Sequence, residues 1–275
     1  KAMLHCERNA AVQKSADFTE FTLIDATARI DTPRHGWRAK CLQRLIRLDL
    51  PVPATVALSC DTVRAIAAGT MPDVARLTAL FGSAPLVSVR SSPENPAWGG
   101  PGTILNVGMN AARHADLTAT HGADAADALY LKFVQSYATH VARLDPDMFM
   151  AAPSTHALAA ALAAYEAETD DEFPQSVTSQ LTEVLRSMAR AWEGTTARLL
   201  REAKGAPSEA PLGLIVQRMA QAIGPGLSER LGQPMIVLNR PGGAATIGMR
   251  EGAKAAPDGY TLGAASLAFA ANPPF

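Results

Sequence analysis

Leu86-Val-Ser-Val-Arg-Ser-Ser92 runs through Pro93-Glu-Asn-Pro-Ala-Trp-Gly-Gly-Pro-Gly102 into Thr103-Ile-Leu-Asn-Val-Gly-Met-Asn110. The apolar run Pro85 to Val89 reads as a short buried strand ending in a cation, Arg90. Ser91 to Gly102 holds three prolines, three glycines and Trp98, a composition that predicts a loop. Thr103 to Val107 resumes as a strand or turn. Glycine lets backbone N–H groups approach an anion closely. The guanidinium fork of arginine suits phosphate oxygens. The same residues also fit a plainer reading, in which Gly99, Gly100 and Gly102 only make turns and Arg90 pairs with a local carboxylate. The spacing meets no standard phosphate-loop pattern.

Outward from this stretch the chain alternates helices and strands. Residues 1–35 are polar and irregular, apart from an apolar patch at Phe18 to Ile24. Leu42, Leu45, Ile46 and Leu48 recur at helical spacing between Ala39 and Leu48, and Pro51 and Pro53 end that helix. Val52 to Leu58 is predicted as a strand, and Thr62 to Ala68 as a helix capped by Asp61. Asp124 to Leu144, Thr155 to Thr169 and Val177 to Lys204 are predicted helices. The last carries Leu181, Val184, Leu185, Met188 and Trp192 on one face. Leu212 to Met219 is a candidate buried strand. After Met219 the order is helix, strand, turn at Pro241 to Gly243, helix, turn and strand, an αβαβ order typical of a parallel sheet.

Composition narrows the function classes. The 275 residues are 48% hydrophobic and 19% charged, which excludes a disordered or collagen-like chain. Aromatics are 5%, so the core must be mostly Ala, Val and Leu. A net charge of −1 gives no global basic field for nucleic acid or an anionic membrane. Cys6, Cys41 and Cys60 are too few and too scattered for a disulfide framework or a zinc site, and their odd number fits a reducing compartment. The six histidines show no paired spacing that implies a metal site. Glu168, Asp170, Asp171 and Glu172 read as a solvated helix end. No apolar run of about 18 residues predicts a membrane span. Lys1 to Ala11 lack the apolar stretch of a signal peptide. A cytoplasmic location is therefore expected.

Five segments, in order, resemble the nucleotide-binding domain of the pyruvate phosphate dikinase and phosphoenolpyruvate synthase family. They are Gly36-Trp-Arg-Ala-Lys-Cys-Leu42 running to Leu50-Pro-Val-Pro53, then Leu86 to Asn110, and Phe133-Val-Gln-Ser-Tyr137. Glu172-Phe-Pro-Gln175 with Gln180-Leu181 and Arg190-Ala-Trp192 follows, and Ile215-Val-Gln-Arg-Met219 is last. The resemblance covers about residues 20–219. It implies an ATP-grasp-type domain in which Arg38 stands where the family has a phosphate-binding lysine, and Arg90 matches an arginine that contacts phosphates. Gly99 and Thr103 fall in the loop that closes over them, and Gln217 and Met219 in the strand bordering the adenine pocket. Trp37 and Ala39 replace the two glycines that flank the family lysine. The cofactors implied are ATP and Mg2+, although the later acidic magnesium ligand and the Q-x-R segment are not found after Met219. The G-G-x-T-S-H carrier motif and the pyruvate-binding barrel are also absent; Ser154-Thr-His-Ala157 is only a superficial echo. In intact family members a phosphoryl group passes from ATP to histidine and on to pyruvate. This chain is expected to bind nucleotide but to be inactive alone, with a partner chain supplying missing domains.

The tail resembles a second family. Leu227-Ser-Glu-Arg-Leu-Gly-Gln-Pro234, Asn239-Arg-Pro-Gly-Gly243, Thr246-Ile-Gly248 and Ala256-Pro-Asp-Gly-Tyr-Thr-Leu262 are similar to tripartite tricarboxylate receptors, periplasmic solute-binding proteins for carboxylates. The expected organisation is thus an α/β chain in two parts. Residues 1–219 form an incomplete ATP-binding region, and 220–275 a small αβαβ fragment of a periplasmic-binding-protein-like lobe. The junction falls at about Val216 to Gln221, as in a gene rearrangement or a truncated frame. The alternatives to the kinase-like reading are a carboxylate-binding protein fragment and a non-catalytic chimera.

Overall fold

The computed structural model describes residues 20–50, 52–149, 156–219 and 254. The predicted strands, helices and turns of the tail lie outside the described residues. Five strands form one sheet: β1 (Phe21–Leu23), β2 (Thr55–Leu58), β3 (Val87–Pro93), β4 (Ile104–Val107) and β5 (Leu212–Arg218). Their order across the sheet is β1-β2-β5-β3-β4, and every pairing is antiparallel. The α/β class therefore holds, with an antiparallel sheet.

Alternation along the strands divides the sheet into two faces. Leu58, Val87, Val89, Ile104, Leu214 and Val216 belong to one large buried core. It is covered by α2 (Cys60–Ala67), α3 (Val74–Ala79), α4 (Ala111–His121), α5 (Ala123–Tyr137), α6 (Ala157–Thr169) and α7 (Val177–Glu193). Phe173 sits at the centre of a ring cluster there, within 6 Å of Tyr130, Phe133, Tyr137 and Tyr165. The opposite face carries α1 (Thr32–Arg47) over a smaller cluster: Ile24, Ile30, Ala39, Leu42, Ala57 and Ile215.

Several boundaries differ from those predicted, each for a local reason. The segment taken as irregular contains β1 and the start of α1, which begins at Thr32 because Asp31 accepts from the Arg34 N–H and Pro33 suits the first turn. Ser59, not Asp61, caps α2 by accepting from Thr62 N at 3.2 Å. The loop predicted from Ser91 starts later, because Ser91, Ser92 and Pro93 pair with Leu214, Gly213 and Leu212. The helix expected to reach Leu144 leaves α geometry after Tyr137 for a π turn at Ala138–Ala142. The helix expected over Val177 to Lys204 breaks at Gly194, whose backbone is extended (φ −64°, ψ 148°), and α8 (Thr195–Glu202) follows. The apolar face of α7 is as predicted: Leu181, Val184, Leu185, Met188 and Trp192 are all buried.

Candidate functional site

Arg90 lies in the middle of β3, on the face shared with Ser88 and Ser92, and opposite Ile215 of β5. That face is overlaid by α1, which brings Arg38 to it. Arg38 Nε donates to the Ser91 carbonyl at 3.0 Å. The helix is fastened to the strand by Ser92, whose Oγ donates to the His35 carbonyl at 2.9 Å and accepts from Ala39 N at 3.2 Å. This close crossing requires Gly36. Its φ is +80°, and a Cβ there would stand 1.7 Å from the Ser92 carbonyl oxygen. Gly213 meets the same crossing from β5, where a Cβ would lie 2.5 Å from His35 O.

The two arginines share one environment. Among the described residues no carboxylate forms an ion pair with either. Arg90 Nε is buried and has no hydrogen-bond partner among the described residues. Burial, and then the neighbouring Arg38 charge, push the Arg90 guanidinium down to about 10. Burial also lowers Arg38. A half-buried cation with a buried open donor beside a second cation is costly unless an anion completes it. Among the described residues, Arg90 does not pair with a local carboxylate, as the plainer reading would have it.

The glycine loop lies on the other face of the sheet. A 3₁₀ turn at Pro96–Trp98 is capped by Asn95, which accepts from Ala97 N, and ends at Gly99 (φ +79°). Gly100 packs on Ser91, where a Cβ would lie 2.7 Å from Ser91 Oγ. The structure thus brings Arg38 to Arg90 on the α1 side of the sheet, and packs the Gly99–Gly100 loop on the opposite face, against Ser91 and Trp192. Thr103 is exposed at the foot of β4. Gln217 is on the Arg90 face, level with Ser88, and its amide donates to Thr55 Oγ1 at 2.9 Å. Met219 is buried in the large core, and its N–H donates to Leu86 O at 2.9 Å. Its side chain therefore has a packing role.

Sequence reasoning passed over Ser92 and His35, which hold α1 in place, although Ser92 was in view beside Arg90. It also passed over Lys204, whose Nζ comes within 3.3 Å of the position a Gly99 Cβ would take. No local pattern marks that lysine. Among the described residues, no cluster of three or more His, Cys, Asp or Glu could hold a metal ion. The donor set at Arg90 is cationic, which suits phosphate and not Mg2+. A separate cavity of about 110 Å³ lies beyond the loop, lined by Pro101, Gly102, Ile104, His140, Val141, Ser187, Met188 and Ala191. Among the described residues no helix is long and apolar enough to cross a membrane.

With this geometry in hand, comparison with known proteins adds one finding. Residues 218–275, about a fifth of the chain, match the family described as the tripartite tricarboxylate transporter family receptor. The match begins at Arg218, the last residue of β5. A search of curated proteins finds no match.

Proposed function

We propose that this chain is a binding protein in two parts, a receptor-like tail at 220–275 and an anion-binding body at 1–219. The family match supports the tail reading: a solute-binding fragment from a carboxylate receptor lobe. It is the reading that the comparisons favour, and none of them supports a phosphotransferase. For the body, one observation carries the proposal. Arg90 is half-buried beside Arg38, its buried Nε has no partner among the described residues, and no described carboxylate pairs with either arginine.

The ligand best suited to that arginine pair is a phosphate group. By resemblance to the dikinase family it would be that of ATP, in an incomplete ATP-grasp-type domain. Arg90 would take phosphate oxygens through its free donor, and Arg38 would add charge while staying anchored on Ser91 O. Mg2+ is implied only by the resemblance, and the residues gathered here offer it no ligands. A nucleotide-binding body would work in the cytoplasm, whereas receptors of the tail's family work in the periplasm. Cell fractionation separates these two placements.

Calorimetry with ATP and with citrate tests both parts on the full chain. ATP is expected to bind, and Arg90→Ala to weaken it by about ten- to a hundredfold, the value of a charge-assisted contact. Citrate binding by the tail is expected to be indifferent to that substitution. ATP affinity unchanged in Arg90→Ala would remove the assignment of the body.

A further inference from the structure

We propose that the cavity beyond the glycine loop is a binding site for a small uncharged aromatic molecule with one hydroxyl, a phenol, its ring seated on Met188 and its hydroxyl on Ser187. None of its lining belongs to the arginine pair, and the proposal does not rest on the anion reading. The cavity holds about 110 Å³ and is lined by the loop and β4 and by the π turn and α7. It is open because two of its walls are short of side chain. Gly102 has none, and a Cβ there would meet nothing within 4 Å. Ala191 of α7 contributes a single methyl. An unfilled apolar space forfeits the dispersion contacts its lining could make, and an apolar guest gains them.

One wall is backbone in an uncommon state. The chain leaves α geometry at Ala138–Ala142, where Leu144 N donates to Ala138 O at 3.0 Å. Arg143 follows in the left-handed region, at φ +61°. π turns and left-handed residues other than glycine are costly, and they collect at binding sites. Here the turn is tied to α7 by Ser187, whose Oγ donates to the His140 carbonyl at 2.6 Å. That bond uses the hydroxyl proton of Ser187. Toward a guest the oxygen can therefore only accept, and the guest must donate.

The rest of the lining sets the rest of the guest. Met188 and Ile104 are buried and form an apolar floor. The thioether of methionine favours contact with an aromatic ring. Among the described residues, no Lys, Arg, Asp or Glu lines the cavity, so a charged guest would lose hydration without a fixed charge to meet it. His140 and Gly102 are exposed and leave a way in. An apolar cavity of about 150 Å³ holds benzene, and this smaller one, open at its rim, admits a single ring.

Calorimetric titration of the full chain with phenol, toluene and benzoate tests this. Phenol and toluene are expected to bind, and benzoate is not. Ser187→Ala should weaken phenol about two- to tenfold, the value of one hydrogen bond, and leave toluene unchanged. Ala191→Leu fills the cavity from α7 and should abolish binding of both without lowering the melting temperature. Should that variant fail to fold, Gly102→Leu gives the same reading from the exposed loop, where the space for a side chain is open. Absence of phenol binding would show that the cavity takes water alone and would overturn the proposal. So would benzoate binding as tight as that of phenol, equal losses of phenol and toluene in Ser187→Ala, or phenol binding unchanged in the cavity-filling variant.

Discussion

Val87 and Val89 point from β3 into the large core, while Ser88, Arg90 and Ser92 alternate with them on the face under α1. The first face meets several helices and a cluster of five aromatic rings. The second has six buried apolar residues, together with buried His35, Gln43, Ser88, Ser92 and Gln217. Burial of apolar area is the main favourable term in folding, so the first face carries the stability. The second can hold unneutralised arginines because the sheet does not depend on it. One strand thus serves two ends through its period of two residues.

The sharpest way to break this comparison is Phe133→Ala. The ring is fully buried and stacks edge-on against both Tyr137 and Phe173. The expected loss is about 3–5 kcal/mol in urea unfolding. A loss under about 1 kcal/mol would show that the ring cluster is not the main core.

Arg90→Leu should act in the opposite direction. It removes a cation that is desolvated and repelled by Arg38. Stability at neutral pH should rise by about 1 kcal/mol, since apolar replacement of a desolvated, unpaired charge is often favourable. The sign follows from the folded-state value of about 10, below the ordinary 12.5. Between those values the unfolded chain holds the proton more tightly, so folding gains as pH rises through that window. A destabilised Arg90→Leu would mean that the arginine holds the fold and is not a site residue.

The smallest effect belongs to His35, which is 2% exposed and accepts at Nδ1 from Asp31 N. Burial, above all, lowers it from 6.5. Below that pH the unfolded chain takes up a proton that the folded chain resists, so stability should fall as the pH is lowered. The slope is at most about 1.4 kcal/mol per pH unit. Thermal melts from pH 7 to pH 5 should show a shallower fall in His35→Gln. Equal slopes would show that α1 does not hold the imidazole neutral.

The periodic features were legible in the sequence and the long-range ones were not. The apolar stripe of α7 follows from spacing alone, and all five of its members are buried. Arg90 stood out as a cation beside an apolar run. Its place in mid-strand depended on Leu212 to Leu214, far along the chain, pairing with Ser91 to Pro93. The break at Gly194 has a cause visible locally, since glycine costs helix about 1 kcal/mol, but the amphipathic pattern ran across it. Lys204 owes its place to the turn after α8, which no spacing rule reads. The antiparallel strand order is likewise a product of pairing between distant segments, not of local propensity.

The central strand of the sheet is also its last in sequence among the described residues. β5 inserts between β2 and β3, which are made more than a hundred residues earlier. A ribosome adding about 5–20 residues per second leaves both of those strands without their shared neighbour for on the order of ten seconds. During that time their open edges are available to other chains, and folding must wait for a contact of high sequence separation. Synthesis thus reaches the keystone of the body at Leu212–Arg218, immediately before it enters the receptor-like tail. Nascent chains halted before Leu212 should be the aggregation-prone species in a translation-arrest experiment, and those halted well after Met219 should be protease-resistant.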